Sequence, residues 1–391
     1  MKTRILSILL ILALLFSSAV IFTACTPEEP DTDDTQGNTQ DTTDTTDEGT
    51  DDSDSDSDSE SESESESESD SESESESESE DVYLDPDPEV IFISYNVAYY
   101  EATADIMTVY YEGQTLADYK IEKRAPRLES LLNHYQPDVI ALQEVNRLWW
   151  PYLVSNEDSI INTIGYEWAG NQGGLKSKNG KSTIDSDLYN LLLWDPAKFE
   201  EIDSGVFRLD SKFYGEANKD RQCTWAILKN KTTGVESLFA STHLCTRGND
   251  ANKELNLAQS EVLTKKLIEK AEGRTVIVGG DFNAGTGTPT YNHMTGIAKF
   301  SNTRFVATKN TTPTMSSMRS WGKTNKWQTA NNPIDHVFFY GNTYTTREYK
   351  VLHDTFDANN VICQEMSKVG INYDLSDHLG IYVRFVERGH Q

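Results

Sequence analysis

The chain has 391 residues, with 64 acidic and 34 basic side chains and a formal net charge of −30 at pH 7. Residues 26–88 hold 28 of the acidic residues and no Lys or Arg. Since Lys2 and Arg4 precede them, residues 89–391 carry 36 acidic and 32 basic groups, a net −4. This near-neutral part argues against strong nonspecific attraction to nucleic acid, although a net count does not show a local basic patch.

The N-terminal residues have the pattern of an export signal. Lys2 and Arg4 precede an apolar stretch at 5–21, and a small-residue cleavage site precedes Cys25. We predict a signal peptide over 1–24 that resembles a bacterial lipoprotein signal, in which the cysteine receives lipid. The alternative is an uncleaved anchor, because the stretch and its flanks are about long enough to span a bilayer. Both predict an exported, cell-surface protein tethered to a membrane.

Residues 25–88 are predicted to form a lipid-anchored, disordered acidic linker. From Ser53 to Glu80, serine alternates with aspartate or glutamate. Such a segment cannot bury enough apolar surface to offset the entropy of ordering, and its like charges extend it. Residues 26–88 could reach on the order of 200 Å at full stretch. We predict a solvated stalk, and the alternative is an acidic cation-binding region.

Residues 89–391 are predicted to form one α/β domain. Two stretches, near 119–135 and 252–272, place apolar residues at a helical period. Between and around them lie long apolar strands, which indicate burial on both faces, as in layered α/β proteins. The predicted strands lie near 89–96, 138–143, 188–194, 204–209, 223–230, 237–243, 274–280, 334–340, 346–352 and 378–386.

Six of these strands carry a cluster of Asn, Gln, Asp, Glu or His at one end. The first four end in the cluster and the last two begin with it, so all six meet at one edge if the last two run antiparallel to the others. We call this edge the rim. Carboxylates, carboxamides and imidazoles gathered in one place suit metal-assisted phosphoester hydrolysis. The clusters contain Asn96, Gln143-Glu144, His243, Asp281-Phe282-Asn283, Asp335-His336 and Asp377-His378.

Glu144 and Asn96 are candidates for a metal site. A carboxylate at the end of an apolar strand is costly unless it meets water, a partner or a metal. A Mg²⁺-type ion, which prefers oxygen ligands, is the natural partner of Glu144. Asn96 would either supply a neutral oxygen to the same ion or position a neighbouring carboxylate. Taken alone, each residue is equally well explained as the cap of a strand end.

Asp281 and Asn283 are candidates for handling the attacking water. Gly279 and Gly280 before them allow a tight turn and close approach of a ligand. In extended geometry both side chains would point to the same side. The carboxylate would then hold or deprotonate water, and the carboxamide would bind a phosphoryl oxygen. The alternative is an Asx turn.

Asp335 and His378 are a candidate carboxylate–imidazole pair. The carboxylate would fix the tautomer of the ring and raise its pKa, so that the ring gives a proton to the phosphoryl group or helps to take one from water. Asp377 would face the other way on a regular strand and serve the metal. His243 would donate to a second phosphoryl oxygen, and His336 would be structural.

In order and rough spacing, these motifs resemble the endonuclease/exonuclease/phosphatase superfamily, which includes pancreatic-type deoxyribonucleases. The resemblance covers nearly all of residues 89–388. It implies a four-layer α/β sandwich, two packed mixed β-sheets flanked by helices, and a divalent-metal phosphoesterase. The motifs are Asn96, Gln143-Glu144, Arg221 with Thr224-Trp225, Thr242-His243-Leu244, Gly280-Asp281-Phe282-Asn283, Ile334-Asp335-His336 and Ser376-Asp377-His378.

The resemblance also implies roles for these residues, with Mg²⁺ as cofactor and Mn²⁺ or Ca²⁺ as alternatives. Either Asp281 or His378 would be the base. The metal ligands would be Asn96, Glu144 and Asp377. The catalytic residues would be His243, Asp281, Asn283, Asp335 and His378. The substrate-binding residues would be Arg221, His243 and Asn283.

Two positions depart from the family pattern. Many members place Arg in the helix after the Thr-His-Leu strand, three residues before a Gln, whereas Asn256 precedes Gln259 at that spacing. Cys245 stands where Asp or Ser is common. Both lie outside the catalytic set and leave the subfamily, and thus the substrate, open.

We therefore predict a monomeric, surface-anchored enzyme that hydrolyses phosphodiester or phosphomonoester bonds in the manner of a nuclease. Phospholipid or inositol-phosphate head groups are alternative substrates to nucleic acid. A catalytically idle surface-binding module is the alternative from another class. Such a module would be expected to lack a metal ligand or the Asp–His pair, and the sequence contains both.

Overall fold

The computed structural model describes residues 88–100, 115–170, 189–210, 212, 220–318, 332–352 and 375–388. The predicted signal peptide at 1–24, the lipidation site Cys25 and the linker lie outside the described residues. Within the described residues, no helix is both long enough and apolar enough to cross a membrane.

The described residues contain thirteen strands and five α-helices. Nine of the ten predicted strands and both predicted helices have ends within two residues of those expected from the apolar periodicity, while the strand predicted from residue 204 begins at Phe199. Three short strands and three short helices were not predicted. The strands are β1 Glu89–Asn96, β2 Val139–Val145, β3 Glu167–Ala169, β4 Tyr189–Trp194, β5 Phe199–Arg208, β6 Gln222–Asn230, β7 Glu236–His243, β8 Thr275–Asp281, β9 Ser301–Asn302, β10 Lys309–Asn310, β11 Asp335–Tyr340, β12 Tyr344–Leu352 and β13 Gly380–Glu387. The helices are α1 Ile121–Tyr135, α2 Ile160–Ile164, α3 Asp250–Ala271, α4 Pro289–Asn292 and α5 Thr303–Val306.

Helix α3 begins before the predicted start at residue 252 because Asn249 caps it. The side chain of Asn249 accepts a hydrogen bond of 2.9 Å from the backbone N–H of Asn252. This bond satisfies one of the backbone donors that the first turn of a helix leaves without a partner. The cap therefore extends the helix over Asp250 and Ala251, which precede the apolar periodicity.

The strands form two mixed sheets. The seven-stranded sheet has the order β10-β12-β13-β1-β2-β4-β3, and the six-stranded sheet has the order β5-β6-β7-β8-β11-β9. Strand β1 is parallel to β2, and β7 is parallel to β8. Strand β13 is antiparallel to β1, and β11 is antiparallel to β8. The predicted reversal of the last two polar-ended strands is therefore confirmed.

Three apolar cores separate four layers, as the predicted sandwich requires. The first core lies between the sheets and contains Phe92 of β1 and Ile277 of β8. The second lies between α1 and the outer face of the seven-stranded sheet. The third lies between α3 and the outer face of the six-stranded sheet. Alternate residues of β1 enter the first and second cores, because successive side chains of a strand point to opposite faces.

Gly279 and Gly280 serve packing rather than the tight turn that the sequence suggested. Both lie within β8. A Cβ on Gly279 would lie 2.6 Å from Phe92 Cε1 of the facing sheet, and one on Gly280 would lie 2.2 Å from the carbonyl oxygen of Thr242 on the neighbouring strand. The glycine pair therefore lets β8 lie close to both neighbours just before Asp281.

Replacing Gly280 by Ala should destabilise the fold by about 3 kcal/mol, because the added methyl group meets backbone that cannot move aside cheaply. The measurement is urea unfolding of both proteins. Gly248→Ala is the matched control, since a Cβ there has open space, and its unfolding free energy should stay within about 0.5 kcal/mol of wild type. Equal stability of the two variants would contradict this account of β8.

Candidate active site

The polar strand ends meet at the rim, as the strand directions require. His243 at the end of β7 pairs in register with Asp281 at the end of β8, and Asp281 pairs with Asp335 at the start of β11. Asn96 at the end of β1 pairs with Gln143 of β2. Two sets of side chains in the described part of the chain have ligand atoms within 4.8 Å of one another, and they share Asp281. These sets are Glu144, His243 and Asp281, and Asp281, Asp335 and His378.

Glu144 reaches the rim through an irregularity in β2. Its φ of 61° is in the left-handed region, and the register with β4 shifts between Leu142 and Val145. The preceding Gln143 turns inward and donates to Ser241 Oγ at 3.1 Å. A left-handed non-glycine residue is unfavourable and is found where the surrounding structure enforces it, often at functional sites. The bulge points Gln143 into the molecule and Glu144 toward the site.

Asn96 positions two carboxylates. Its Nδ2 donates to Glu144 Oε1 at 3.2 Å and to Asp281 Oδ2 at 3.1 Å. Its Oδ1 accepts from the backbone N–H of Ala98 at 3.0 Å. Of the two roles left open by the sequence, these contacts correspond to positioning of neighbouring carboxylates. A direct bond from Asn96 Oδ1 to a metal stays a prediction.

Asp281 and Asn283 form an Asx turn and still face the same site. Strand β8 ends at Asp281, and Asn283 has a left-handed φ of 49°, so the expectation of extended geometry is wrong. Asp281 Oδ1 accepts from the backbone N–H of Asn283 at 2.8 Å. This turn directs Asn283 Nδ2 to within 3.0 Å of His243 Nε2 and of the carbonyl oxygen of Leu244. The Asx turn, which the sequence offered as the alternative to a role in the site, is therefore what places Asn283 in the site.

His243 lies among donors and acceptors at the centre of the rim. Arg221 Nη1 lies 3.4 Å from its Nδ1, and Asp281 Oδ2 lies 3.4 Å from its Nε2. Burial, then the charges of Arg221 and His378, lower the pKa of His243 well below its ordinary value. The ring is therefore neutral near pH 7. Arg221 Nη1 and Asn283 Nδ2 thus lie against the two nitrogens of the His243 ring, which places N–H donors next to Asp281.

Asp335 and His378 form the expected pair, with His378 Nδ1 2.8 Å from Asp335 Oδ2. Burial acts to lower the pKa of His378, but the charge and hydrogen bond of Asp335 outweigh it and raise the pKa well above its ordinary value. The ring is thus protonated at neutral pH, with Nδ1–H bound to Asp335. Its Nε2 lies 3.8 Å from Asp281 Oδ2. His378 can give a proton to a bound group at that position.

Asp377 is held differently from the other acids. It accepts a hydrogen bond of 2.6 Å from the hydroxyl of Tyr100, and Ser376 Oγ lies 3.4 Å from its Oδ1. Asp377 belongs to neither set of closely spaced ligand atoms in the described part of the chain. Its charge nevertheless contributes to raising the pKa of Glu144, after burial. A metal-binding role for Asp377 therefore stays a prediction.

His336 lies away from the reacting groups, as expected for a structural residue. Its Nε2 donates to the carbonyl oxygen of Ala284 at 2.8 Å, and its Nδ1 accepts from Asn302 Nδ2 at 3.1 Å. Burial lowers the pKa of His336 to about 4. The ring is neutral and links the turn after β8 to the start of α5.

The two departures from the family pattern have a structural account. Asn256 Nδ2 donates to the carbonyl oxygens of Cys245 at 2.6 Å and Phe282 at 2.8 Å. Gln259 Oε1 accepts from the backbone N–H of Cys245 at 2.7 Å. Helix α3 thus joins the segment after His243 to the segment after Asp281. Asn256 is a neutral side chain that bridges these two segments.

Tyr99 and Tyr100, which are not among the candidates predicted from the sequence, contact the acids directly. The backbone N–H of Tyr99 donates to Glu144 Oε2 at 2.9 Å, and the hydroxyl of Tyr100 binds Asp377. These residues follow Asn96 in a stretch with no periodicity and no charged side chain. Their position just after a polar strand end was the one available signal.

The stability of the metal-free protein should fall as pH rises, because burial and the charge of Asp335 raise the pKa of Asp281 to about 7. A carboxyl with a raised folded-state pKa contributes stability that is fully present below its unfolded pKa, near 4, and is lost as pH rises through about 7. Asp281→Asn removes this loss. Urea unfolding in the presence of chelator is measured at pH 5 and at pH 8. From pH 5 to pH 8, the unfolding free energy of wild type should fall by about 2 kcal/mol more than that of the variant. A pH-independent difference would contradict the assigned shift.

The fold and the rim define a four-layer α/β sandwich that brings acidic, amide and imidazole groups to one edge. The sequence model of the Endonuclease/Exonuclease/phosphatase family matches residues 93–378, and the chain belongs to this family. No curated protein matches the chain.

Solved structures show the same fold at low sequence identity. A mannosyl-6-phosphatase from Bacteroides thetaiotaomicron has 20% identity and a TM-score of 0.56, covering 76% of this chain and 99% of its own. A family protein from Bacteroides vulgatus has 18% identity and a TM-score of 0.57, covering 77% and 100%. The human Nocturnin catalytic domain with bound sulfate has 16% identity and a TM-score of 0.53, covering 78% and 96%.

Proposed function

We propose that this chain is a divalent-metal-dependent phosphoesterase, tethered at the cell surface, that hydrolyses phosphodiester or phosphomonoester bonds. The observation that carries the proposal is the position of Asp281. Its carboxylate belongs both to the set with Glu144 and His243 and to the set with Asp335 and His378. One buried carboxylate therefore links a candidate cation site to a candidate proton donor.

The residues at the rim fit a hard divalent cation. Burial and the charge of Asp377 raise the pKa of Glu144, and burial and the charge of Asp335 raise that of Asp281. Acids held this close and largely shielded from water repel one another, and a cation bound between them relieves that repulsion. Their oxygen atoms are the ligands that Mg²⁺, Mn²⁺ and Ca²⁺ prefer. When bound, the ion would stabilise charge on the phosphoryl and leaving-group oxygens.

The side chains of the rim would have separate roles in the reaction. Arg221, His243 and Asn283 would hold phosphoryl oxygens through N–H groups. Such hydrogen bonds stabilise the reaction most where negative charge develops in the transition state. Asp281 would orient water and accept its proton. His378, protonated and held by Asp335, cannot serve as a base in that state and would instead donate Nε2–H to an anionic oxygen. Among the alternatives left by the sequence, this arrangement favours Asp281 as the base.

The substrate class is proposed only as a phosphate ester. One solved neighbour is a mannosyl-6-phosphatase by name, which supports phosphate-ester chemistry on this fold and does not assign the ester here. Nucleic acid, phospholipid head groups and inositol phosphates therefore stay as candidate substrates. A catalytically idle surface-binding module stays as the alternative of another class.

The test is turnover of bis(p-nitrophenyl) phosphate and p-nitrophenyl phosphate by the full chain with Mg²⁺, Mn²⁺ or Ca²⁺, with and without chelator. We expect metal-dependent release of p-nitrophenol that chelator abolishes and added metal restores. A product-resolved screen on plasmid DNA, RNA, sphingomyelin, inositol phosphates and mannose 6-phosphate would then identify the ester. No chelator-sensitive turnover on any of these substrates would contradict the enzyme proposal and favour the idle module.

The tether is a separate part of the proposal and rests on the sequence alone. Lipidation of Cys25 would hold the catalytic residues at the outer face of a bacterial membrane, with residues 26–88 as spacer. In bacterial cells, the wild-type chain should fractionate with membranes and Cys25→Ser should not be lipidated. Equal lipid labelling of the two proteins would contradict this assignment.

A further inference from the structure

The segment 97–100 orients two of the acids at the rim. It follows β1, and the backbone N–H of Tyr99 and the hydroxyl of Tyr100 bind Glu144 and Asp377, respectively. Ala98 in this segment has a left-handed φ of 54°. That region is unfavourable for alanine, so contacts from outside the segment must hold it in this conformation.

The main outside contact is Arg124 of helix α1, whose side chain is 0% exposed. Its Nη1 donates to the carbonyl oxygen of Tyr100 at 2.8 Å, and its Nη2 donates to those of Ala98, at 2.6 Å, and Val97. The planar guanidinium fork reaches three carbonyl groups of one segment at once. A flexible ammonium group could not reproduce that geometry.

Two side chains that follow Glu144 in the sequence also bind segment 97–100. Trp149 Nε1 donates to the carbonyl oxygen of Ala98 at 2.9 Å, and Asn146 Nδ2 donates to that of Tyr99 at 3.0 Å. The guanidinium of Arg124 lies 5.0 Å from the centre of the Trp149 ring. All four carbonyl groups of 97–100 thus accept hydrogen bonds from side chains of other elements.

We propose that Arg124 is a positioning residue for the metal site. It fixes segment 97–100 so that Tyr99 and Tyr100 hold Glu144 and Asp377 in their binding orientations. Groups that orient metal ligands in this way commonly change metal affinity or activity by 10- to 100-fold when they are removed. The inference rests on the proposed function, since it requires a cation at these acids.

The test measures Mn²⁺ and Mg²⁺ binding to the full chain by calorimetry, together with the Mg²⁺ concentration that gives half-maximal turnover. Arg124→Met should weaken metal binding at least tenfold and raise that concentration by a similar factor. Arg124→Lys should recover only part of the affinity. Tyr100→Phe removes one downstream contact and should shift both readouts in the same direction by a smaller factor.

The matched control is Leu128→Ala, which removes a buried side chain from the same helix. It should lower the unfolding temperature and leave metal affinity unchanged, as a purely structural substitution would. If Arg124→Met does not fold, Arg124→Lys and Tyr100→Phe decide the question. Wild-type affinity in those variants would overturn this inference alone. Absence of metal binding by the wild-type chain would instead contradict the proposed function on which it rests.

Discussion

Glu144→Gln should lower metal-dependent phosphate-ester hydrolysis by at least about a thousandfold. The substitution keeps the size of the side chain. It removes the negative charge that the left-handed turn in β2 directs toward Asp281 and His243, together with one of the two oxygens that accept from Asn96 and Tyr99. Stabilisation by a bound cation is worth several kcal/mol of transition-state energy, and each 1.4 kcal/mol is a factor of ten in rate. Steady-state turnover at saturating Mg²⁺ is the measurement.

The matched control for this prediction is Glu167→Gln. Glu167 is an exposed residue of β3 and has the same change in charge. Its turnover should equal that of wild type. Glu144 is partly buried among other acids and its pKa is raised, so in the metal-free Glu144→Gln protein the relief of charge repulsion should offset the loss of one acceptor oxygen, and the unfolding temperature should stay close to that of wild type. Loss of activity in Glu144→Gln without loss of stability would show that Glu144 has a functional rather than a structural role. Full activity of Glu144→Gln would contradict the assigned site.

His378→Ala should lower turnover by about 10²- to 10⁴-fold, the range typical for loss of a positioned proton donor. The ring is buried, lies 2.8 Å from Asp335 and has a raised pKa, so it is charged at neutral pH. Asp335→Asn should cost a large part of the same factor, because Asp335 holds the tautomer and the charge of the ring. The double variant should be no slower than His378→Ala, since the two residues act as one unit.

His336→Gln is the matched control for this pair. His336 is adjacent to Asp335 and equally buried, but its nitrogens bind Ala284 and Asn302. The substitution should reduce stability and leave turnover per folded molecule close to wild type. Equal activity losses in His336→Gln and His378→Ala would mean that the activity reports general damage to β11 and its neighbours. Additive losses in Asp335→Asn and His378→Ala would contradict a coupled pair.

The location of the site could be predicted because it depends on strand direction and strand ends. An apolar run with polar residues at one end indicates where a strand ends and which end lies at the rim. Because β11 and β13 run antiparallel to their neighbours, their first residues bring Asp335 and His378 to the rim. The orientation of individual side chains could not be predicted. Glu144 reaches the site through a bulge in β2 and Asn283 through an Asx turn, and both break the strict alternation on which the sequence argument relied.

The supporting residues were also beyond the sequence pattern. Arg124 lies on a helical face that carries Ile, Ala and Leu together with a second buried arginine, Arg127, and the sequence pattern predicts neither its burial nor its three carbonyl partners. Tyr100 reaches Asp377 across 277 positions of the chain. Such contacts depend on tertiary placement of a segment without periodicity. Local composition contains no information on that placement.

The most direct test of the central claim is a crystal structure of the full chain grown with Mn²⁺ and inorganic phosphate, with anomalous scattering used to locate the ion. We expect an Mn²⁺ peak bonded to a Glu144 carboxylate oxygen at about 2.1 Å, a typical length for small hard divalent ions. We also expect phosphate oxygens in contact with His243 and Asn283. Phosphate bound without Mn²⁺ at Glu144, or Mn²⁺ bound only away from the rim, would contradict the central claim.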